Sequence, residues 1–121
     1  MAAGTILILQ DDFLAAERLR LLLEQAGYVV VGVASRTNGA NELADQHHPD
    51  LAIVDMMLEV DVDGFRTATA LARTHNVKIL ITTGFPDSTI EAERVPEIAC
   101  AILKKPYSDQ DVLDAVARCL A

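Results

Sequence analysis

Tryptophan is absent from this sequence, and only three Phe and two Tyr occur among its 121 residues. About half of the residues are apolar, so the core must be built from aliphatic side chains. Basic residues are also few, because ten Lys and Arg stand against eighteen Asp and Glu, for a formal net charge of −8. A nucleic-acid-binding surface needs clustered cations, and this composition argues against that class of function.

Long hydrophobic runs are lacking too. No apolar stretch approaches the roughly 20 residues of a membrane-spanning helix. The start, Met1-Ala2-Ala3-Gly4, lacks the basic and apolar segments of a secretory signal. The sequence therefore predicts a cytoplasmic protein without membrane attachment, and its length predicts one domain over residues 1–121.

Cysteine is rare, with two residues in the chain. Cys100 falls in a predicted strand, and Cys119 falls on the apolar side of the last predicted helix. We expect two buried free thiols at these positions rather than a disulfide or a metal-binding pair.

Short apolar runs that end in polar residues are the main pattern that is present. Four-residue and three-residue aliphatic runs of this kind are typical of strands buried on both faces. The runs and the residues that follow them are Ile6–Leu9 with Gln10-Asp11-Asp12, Leu51–Val54 with Asp55, Ile79–Ile81 with Thr82-Thr83-Gly84, and Cys100–Leu103 with Lys104-Lys105-Pro106. Tyr28–Val31 is a fifth predicted strand.

Helices are predicted between these strands, over about 13–26, 37–46 and 64–74. The first should bury a stripe of apolar residues at helical spacing, namely Ala15, Leu19, Leu22 and Ala26. Gly27 is placed to end this helix. A short helix should start near Thr89 and end before Pro96, and the capping-box spacing Ser108-x-x-Asp111 opens the last helix.

Alternating strands and helices at short spacing predict an α/β, flavodoxin-like, doubly wound fold. Its five-stranded parallel sheet should have the order 2-1-3-4-5, with a shortened fourth helix. In such folds the site lies beyond the carboxyl ends of the strands, where the strand order reverses. Asp11 and Asp55 would then face each other across neighbouring strands.

This edge of the sheet has the chemistry of a phosphoryl site. Two carboxylates this close repel each other unless a cation lies between them, and Mg²⁺ prefers such oxygen ligands. Lys105 adds a fixed positive charge and Thr83 a hydroxyl group. An aspartate oxygen can accept a phosphoryl group whose charge the metal and the lysine neutralise.

The full set of motifs resembles the receiver domain of two-component response regulators, over the whole chain. That family carries an acidic pair after the first strand, an Asp after the third, Thr or Ser and a small residue after the fourth, and Lys-Pro after the fifth. The matching residues here are Gln10-Asp11, Asp55, Thr83-Gly84 and Lys105-Pro106.

The resemblance implies a role for each matching residue. Asp55 would accept a phosphoryl group from a histidine kinase or phosphotransfer protein. Asp11, Asp55 and the backbone carbonyl of Met57 would hold Mg²⁺. Lys105 would pair with Asp55 or its phosphate, and Thr83 would bond a phosphoryl oxygen in the active state. The protein would be a single-domain, non-enzymatic regulator, monomeric or weakly dimeric, that switches an unknown downstream partner or acts as a phosphate sink.

The chain departs from the family pattern in several places. Gln10 stands where an acid is usual, so we expect Mg²⁺ binding to be weakened rather than lost. The loop after Asp55 is acidic, with Glu59, Asp61 and Asp63. Ile102 stands at a usually aromatic position, and Thr-Gly-Phe follows the fourth strand. These last features resemble a subgroup of single-domain receivers that often serve histidine kinases of the HWE type. The usual partner face of receivers would contain Arg94, Val95, Ile102 and Tyr107.

Three alternatives remain open at this point. Gln10 favours a pseudo-receiver that binds partners without phosphorylation. An aspartate-nucleophile phosphatase would usually carry a second Asp two residues after Asp55, where this chain has Met57. A flavin-binding relative is the weakest alternative, because Gln10-Asp11-Asp12 would repel the flavin phosphate.

Overall fold

The fold is a five-stranded parallel sheet with helices on both faces. The computed structural model describes residues 4–56, 64–84 and 98–121. Within these ranges the strands are β1 (Thr5–Leu9), β2 (Val29–Ala34), β3 (Leu51–Asp55), β4 (Lys78–Thr83) and β5 (Ala99–Lys104). The helices in the same ranges are α1 (Phe13–Gln25), α2 (Thr37–His47), α3 (Gly64–His75) and α4 (Asp109–Leu120).

The strand order is β2-β1-β3-β4-β5, and every neighbouring pair is parallel. The predicted fold class and strand order are therefore confirmed. The order reverses between β1 and β3, so the crevice beyond their carboxyl ends is the expected place for a site.

The central strands are buried on both faces, which explains their continuous aliphatic sequence. Ile6 and Ile8 of β1 belong to the cluster beneath α1 and α4. Leu7 and Leu9 belong to the cluster on the other face, beneath α2 and α3. Because side chains alternate along a strand, β1 and β3 hold the two layers of helices on one sheet.

The capping predictions are confirmed at two helix ends. Ser108 Oγ accepts from the N–H of Asp111 at 3.1 Å, and the Asp111 carboxylate accepts from the N–H of Ser108 at 3.0 Å. Gly27 has a φ of +97° directly after the C-cap of α1, a conformation that favours glycine.

The buried stripe of α1 is rotated from its predicted position. Ala16, Leu19 and Leu23 are the buried residues, whereas Ala26 is the exposed C-cap. The predicted and observed stripes share Leu19 and both have helical spacing, so spacing alone does not determine which stripe faces the sheet.

The prediction of two free cysteines is wrong. Cys100 and Cys119 form a disulfide, with an S–S distance of 2.02 Å and a Cα–Cα distance of 5.4 Å. The helix α4 runs back across the sheet and packs on β5, so its last turn lies beside the first residues of that strand. The sequence separation of 19 residues conceals this proximity.

The strand β2 runs further than predicted, to Ala34. Gly32 lies inside it, and a Cβ atom at this position would stand 2.8 Å from two methyl carbons of Leu43. The missing side chain therefore lets α2 pack closely on β2.

Some predicted features lie outside the described residues. These are the short helix near Thr89 and the residues Met57, Glu59, Asp61, Asp63, Phe85, Arg94 and Val95. Among the described helices, none is long and apolar enough to cross a membrane.

Candidate functional site

The carboxyl ends of β1 and β3 lie side by side, and hydrogen bonds between Thr5 and Asp50 join the starts of the two strands. The Asp50 carboxylate accepts from the backbone N–H of Thr5 at 3.0 Å and from its hydroxyl at 3.1 Å. Leu9 then pairs with Val54, so the next residues, Gln10 and Asp55, emerge side by side at the carboxyl edge.

Strand alternation puts three site residues on one face of the sheet. Ile8, Ile53 and Leu103 pack in the cluster beneath α1 and α4. Gln10, Asp55 and Lys105 each stand two positions later, so they continue the same face.

The Asp55 carboxylate is buried and ion-paired. Its residue is only 3% exposed, and Lys105 Nζ lies 3.0 Å from both carboxylate oxygens. A buried carboxylate is costly unless it is paired and hydrogen-bonded, so the lysine is what makes a charged Asp55 tolerable in this position. The sequence prediction that these two residues meet is in agreement with this geometry.

Gln10 also contacts Asp55, and this contact was not foreseen from the sequence. Gln10 Nε2 donates to Asp55 Oδ2 at 2.8 Å, and Gln10 Oε1 accepts from the N–H of Asp12 at 3.0 Å. Asp12 in turn caps α1 through its side chain, which accepts from the N–H groups of Leu14 and Ala15. The sequence signal was present, since Gln10 replaces the usual acid, but it predicted only weakened Mg²⁺ binding.

A cavity of about 650 Å³ opens between α1 and α4 and reaches the buried carboxylate. Gln10, Asp11, Asp55, Lys105 and Tyr107 line it. The two predicted carboxylates therefore share one cavity with the lysine. Burial, and then the negative charge of Asp55, raise the pKa of Tyr107 above its usual value.

Thr83 ends β4 and borders this group through its backbone. Its carbonyl oxygen accepts from the N–H of Lys105 at 2.8 Å. Thr83 is not one of the described residues that line the cavity. Strand alternation instead places it on the face of Ile79 and Ile81. Met57, the remaining predicted ligand, lies outside the described residues.

The donors in this cavity suit Mg²⁺ better than a transition metal. Asp11 and Asp55, which carry carboxylate groups, both line the cavity. Across residues 4–56, 64–84 and 98–121, no three His, Cys, Asp or Glu side chains gather as a metal cluster. Mg²⁺ is commonly held by one or two carboxylates and keeps water or phosphate oxygens as its other ligands. The residues present therefore fit this ion.

Comparison with known proteins identifies the class of this chain. Residues 6–117 match the family model of the response regulator receiver domain, and the chain belongs to this family. Receiver domains are the signalling modules of two-component systems. They interact with kinases or phosphotransfer proteins and with downstream partners, and they generally bind Mg²⁺ in an acidic pocket.

Two curated relatives are response regulators. The chain is 32% identical to the transcriptional regulatory protein PdtaR of Mycobacterium tuberculosis, over 92% of this chain and 54% of that protein. It is 30% identical to the phyllosphere-induced regulator PhyR of Methylorubrum extorquens, over 98% of this chain and 44% of that protein. The chain thus spans about half the length of these relatives.

Solved structures agree with the fold. The signal receiver domain of a modulated diguanylate cyclase from Desulfovibrio desulfuricans G20 has a TM-score of 0.86 and 32% identity, covering 97% of this chain and 93% of that one. The receiver domain of Erythrobacter litoralis PhyR has a TM-score of 0.86 at 22% identity, covering 99% and 92%. The second likeness concerns the fold alone.

Proposed function

We propose that this chain is a phosphorylation-dependent receiver in which Asp55 accepts a phosphoryl group from a phosphohistidine. The donor is a histidine kinase or a phosphotransfer protein. The observation that carries this proposal is the buried Asp55 carboxylate, held by Lys105 Nζ at 3.0 Å on both oxygens and open to a cavity that Asp11 also lines.

The proposed transfer is an in-line displacement at phosphorus. A carboxylate oxygen of Asp55 forms the new P–O bond as the P–N bond to the histidine breaks, and the released imidazole nitrogen takes up a proton. Lys105 stabilises the charge of the equatorial phosphoryl oxygens and then pairs with the acyl phosphate. Asp11 and Asp55, with the backbone carbonyl of Met57, would hold Mg²⁺, which supplies further charge neutralisation when it is bound.

Thr83 is proposed to report the phosphorylated state. Its carbonyl oxygen is bonded to the N–H of Lys105, so movement at the phosphoryl group can reach β4 through the backbone. Because strand alternation places Thr83 on the other face of the sheet, its side chain would move to bond a phosphoryl oxygen. Such a switch moves from about 1:99 to 99:1 only if phosphorylation favours one state by about 5.5 kcal/mol.

The output is proposed to be a downstream protein or drainage of phosphate. Ile102 is exposed on β5, and Tyr107 in the segment after this strand is half-buried, so both remain candidates for the partner face. A monomer or weak dimer, a cytoplasmic location, and the single-domain organisation over 1–121 remain predictions from the sequence.

The other functions are not favoured. A phosphorylation-independent module would leave no reason for a buried carboxylate that is paired with Lys105 and opens to a cavity. We also propose no turnover of an external phosphoester, because Met57 replaces the second Asp of aspartate-nucleophile phosphatases.

The test is phosphorylation by a small donor. Wild-type protein incubated with acetyl phosphate and Mg²⁺ should gain one phosphoryl mass, located on the Asp55 peptide. Asp55→Asn should gain none, whereas Asp45→Asn, the same change at an exposed carboxylate on α2, should behave as wild type. An unmodified wild-type chain, together with an absence of beryllofluoride-induced shifts at Thr83, would rule out the proposal.

A further inference from the structure

The Gln10 side chain is held at both ends, and this fixes which atom faces Asp55. A backbone N–H can only donate, so the atom that contacts the N–H of Asp12 must be the amide oxygen. The amide nitrogen therefore faces Asp55 Oδ2, at 2.8 Å. Gln10 is 5% exposed, so few solvent molecules compete with these two contacts.

Asp55 Oδ2 accepts from two donors at once. Gln10 Nε2 lies 2.8 Å away and Lys105 Nζ lies 3.0 Å away. A carboxylate oxygen offers about two lone-pair positions. A cation that binds this oxygen must displace one of the donors. A cation that binds Oδ1 instead meets a carboxylate whose negative potential the amide and the ammonium already reduce.

We propose that Gln10 is a positioning residue that competes with Mg²⁺ for Asp55. It holds the carboxylate when the ion is absent, so the ion binds only at a higher concentration than a receiver with an acid at this position would need. Two separable causes weaken Mg²⁺ binding: the site lacks a carboxylate at position 10, and the hydrogen bond from Gln10 to Asp55 must break. This inference rests on the proposed function, because it concerns metal loading of the same site.

The change in Mg²⁺ affinity caused by the Gln10–Asp55 hydrogen bond depends on the strength of that bond, which has a charged acceptor. A hydrogen bond to a charged group, lost without replacement in a buried place, changes an equilibrium by about tenfold or more. Removing the amide without adding a charge should therefore tighten Mg²⁺ binding about tenfold.

Two variants separate the two causes. Gln10→Met keeps the length of the side chain and removes its hydrogen-bonding groups. Gln10→Glu removes the N–H donor and adds a carboxylate. Mg²⁺ is titrated into each protein at constant ionic strength, and the dissociation constant is read from the amide chemical shifts of Asp55 and Met56. Circular dichroism checks the folding of each variant, and Gln10→Ala replaces Gln10→Met if the latter does not fold.

The expected order of Mg²⁺ affinity is Gln10→Glu, then Gln10→Met, then wild type, with about tenfold between the last two. Asp11→Asn should weaken binding in every background. Equal or weaker binding by Gln10→Met would overturn the competition, as would the absence of saturable binding in all three proteins. Failure of the proposed function is a different observation, namely no phosphoryl adduct on Asp55.

Discussion

Replacing Lys105 with Met measures how far the stability of this domain depends on the ion pair at its sheet edge. The substitution removes the ammonium but keeps a side chain of similar length and apolar character. Asp55 would remain hydrogen-bonded to Gln10, yet its carboxylate would lose the positive charge that lies 3.0 Å from both oxygens.

The expected loss follows from the exposure of the two partners. The Asp55 side chain is 4% exposed and the Lys105 side chain 34%. Removing one partner of a fully buried pair costs about 3–5 kcal/mol, because the other charge stays buried without compensation. Water reaches the space that Lys105 leaves, so we expect about 2 kcal/mol. The reverse change, Asp55→Asn, leaves a lysine that water can solvate and should cost less than about 1 kcal/mol.

Urea unfolding followed by circular dichroism gives these free energies, and a double-mutant cycle isolates the pair. Lys105→Met with Asp55→Asn should lose less than the sum of the single changes, with a coupling of about 1–2 kcal/mol. Lys104→Met removes the same charge from an exposed position of β5 and should cost under about 1 kcal/mol. Additive single changes, or an equal loss in the Lys104 variant, would refute the reasoning.

Three further predictions test other parts of the structure. Ser108→Ala should lower the free energy of unfolding by about 1 kcal/mol, because the capping box loses its side-chain acceptor; a loss below 0.3 kcal/mol, on the order of measurement error, would contradict it. Gly32→Val should cost about 1–3 kcal/mol by overpacking, and adding Leu43→Ala should recover part of the loss; if it recovers none, the close approach is not the cause. Finally, the pKa of Tyr107 should lie above the usual value of about 10 and should fall in the Asp55→Asn variant. Phenolate absorbance measures this pKa when the other tyrosine is replaced by Phe. An unchanged pKa in Asp55→Asn would show that the carboxylate does not contribute.

The sign of the pH effect at Tyr107 follows from proton linkage. The pKa of the folded state is raised, so the folded chain binds this proton more tightly than the unfolded chain does. The stability contributed by Tyr107 is therefore fully present below about pH 10 and is lost as the pH rises through the folded-state pKa.

Sequence patterns were sufficient for the sheet and for the main ion pair. Short aliphatic runs bounded by polar residues indicate strands of a parallel sheet, and the carboxyl ends of such strands meet at one edge. This reasoning places Asp55 and Lys105 close together before any coordinates are considered. The Asp50–Thr5 hydrogen bonds supply the precise alignment, and nothing in the spacing of the sequence reveals them.

The features that sequence patterns missed depend on orientation rather than on residue type. Gln10 can face a carboxylate with its nitrogen or a metal with its oxygen, and the N–H of Asp12 decides between them. Cys100 and Cys119 become neighbours because the last turn of α4 lies beside the first residues of β5. The stripe of α1 is likewise fixed by how the helix rests on the sheet, not by its period.

The bond between Cys100 and Cys119 turns the intervening chain into a covalent ring. Lys105, whose ammonium pairs with Asp55, is part of that ring. A single hydrolytic cut of the backbone between the two cysteines would leave both pieces joined, so the oxidised protein would gain only the mass of one water until a reductant released the fragments.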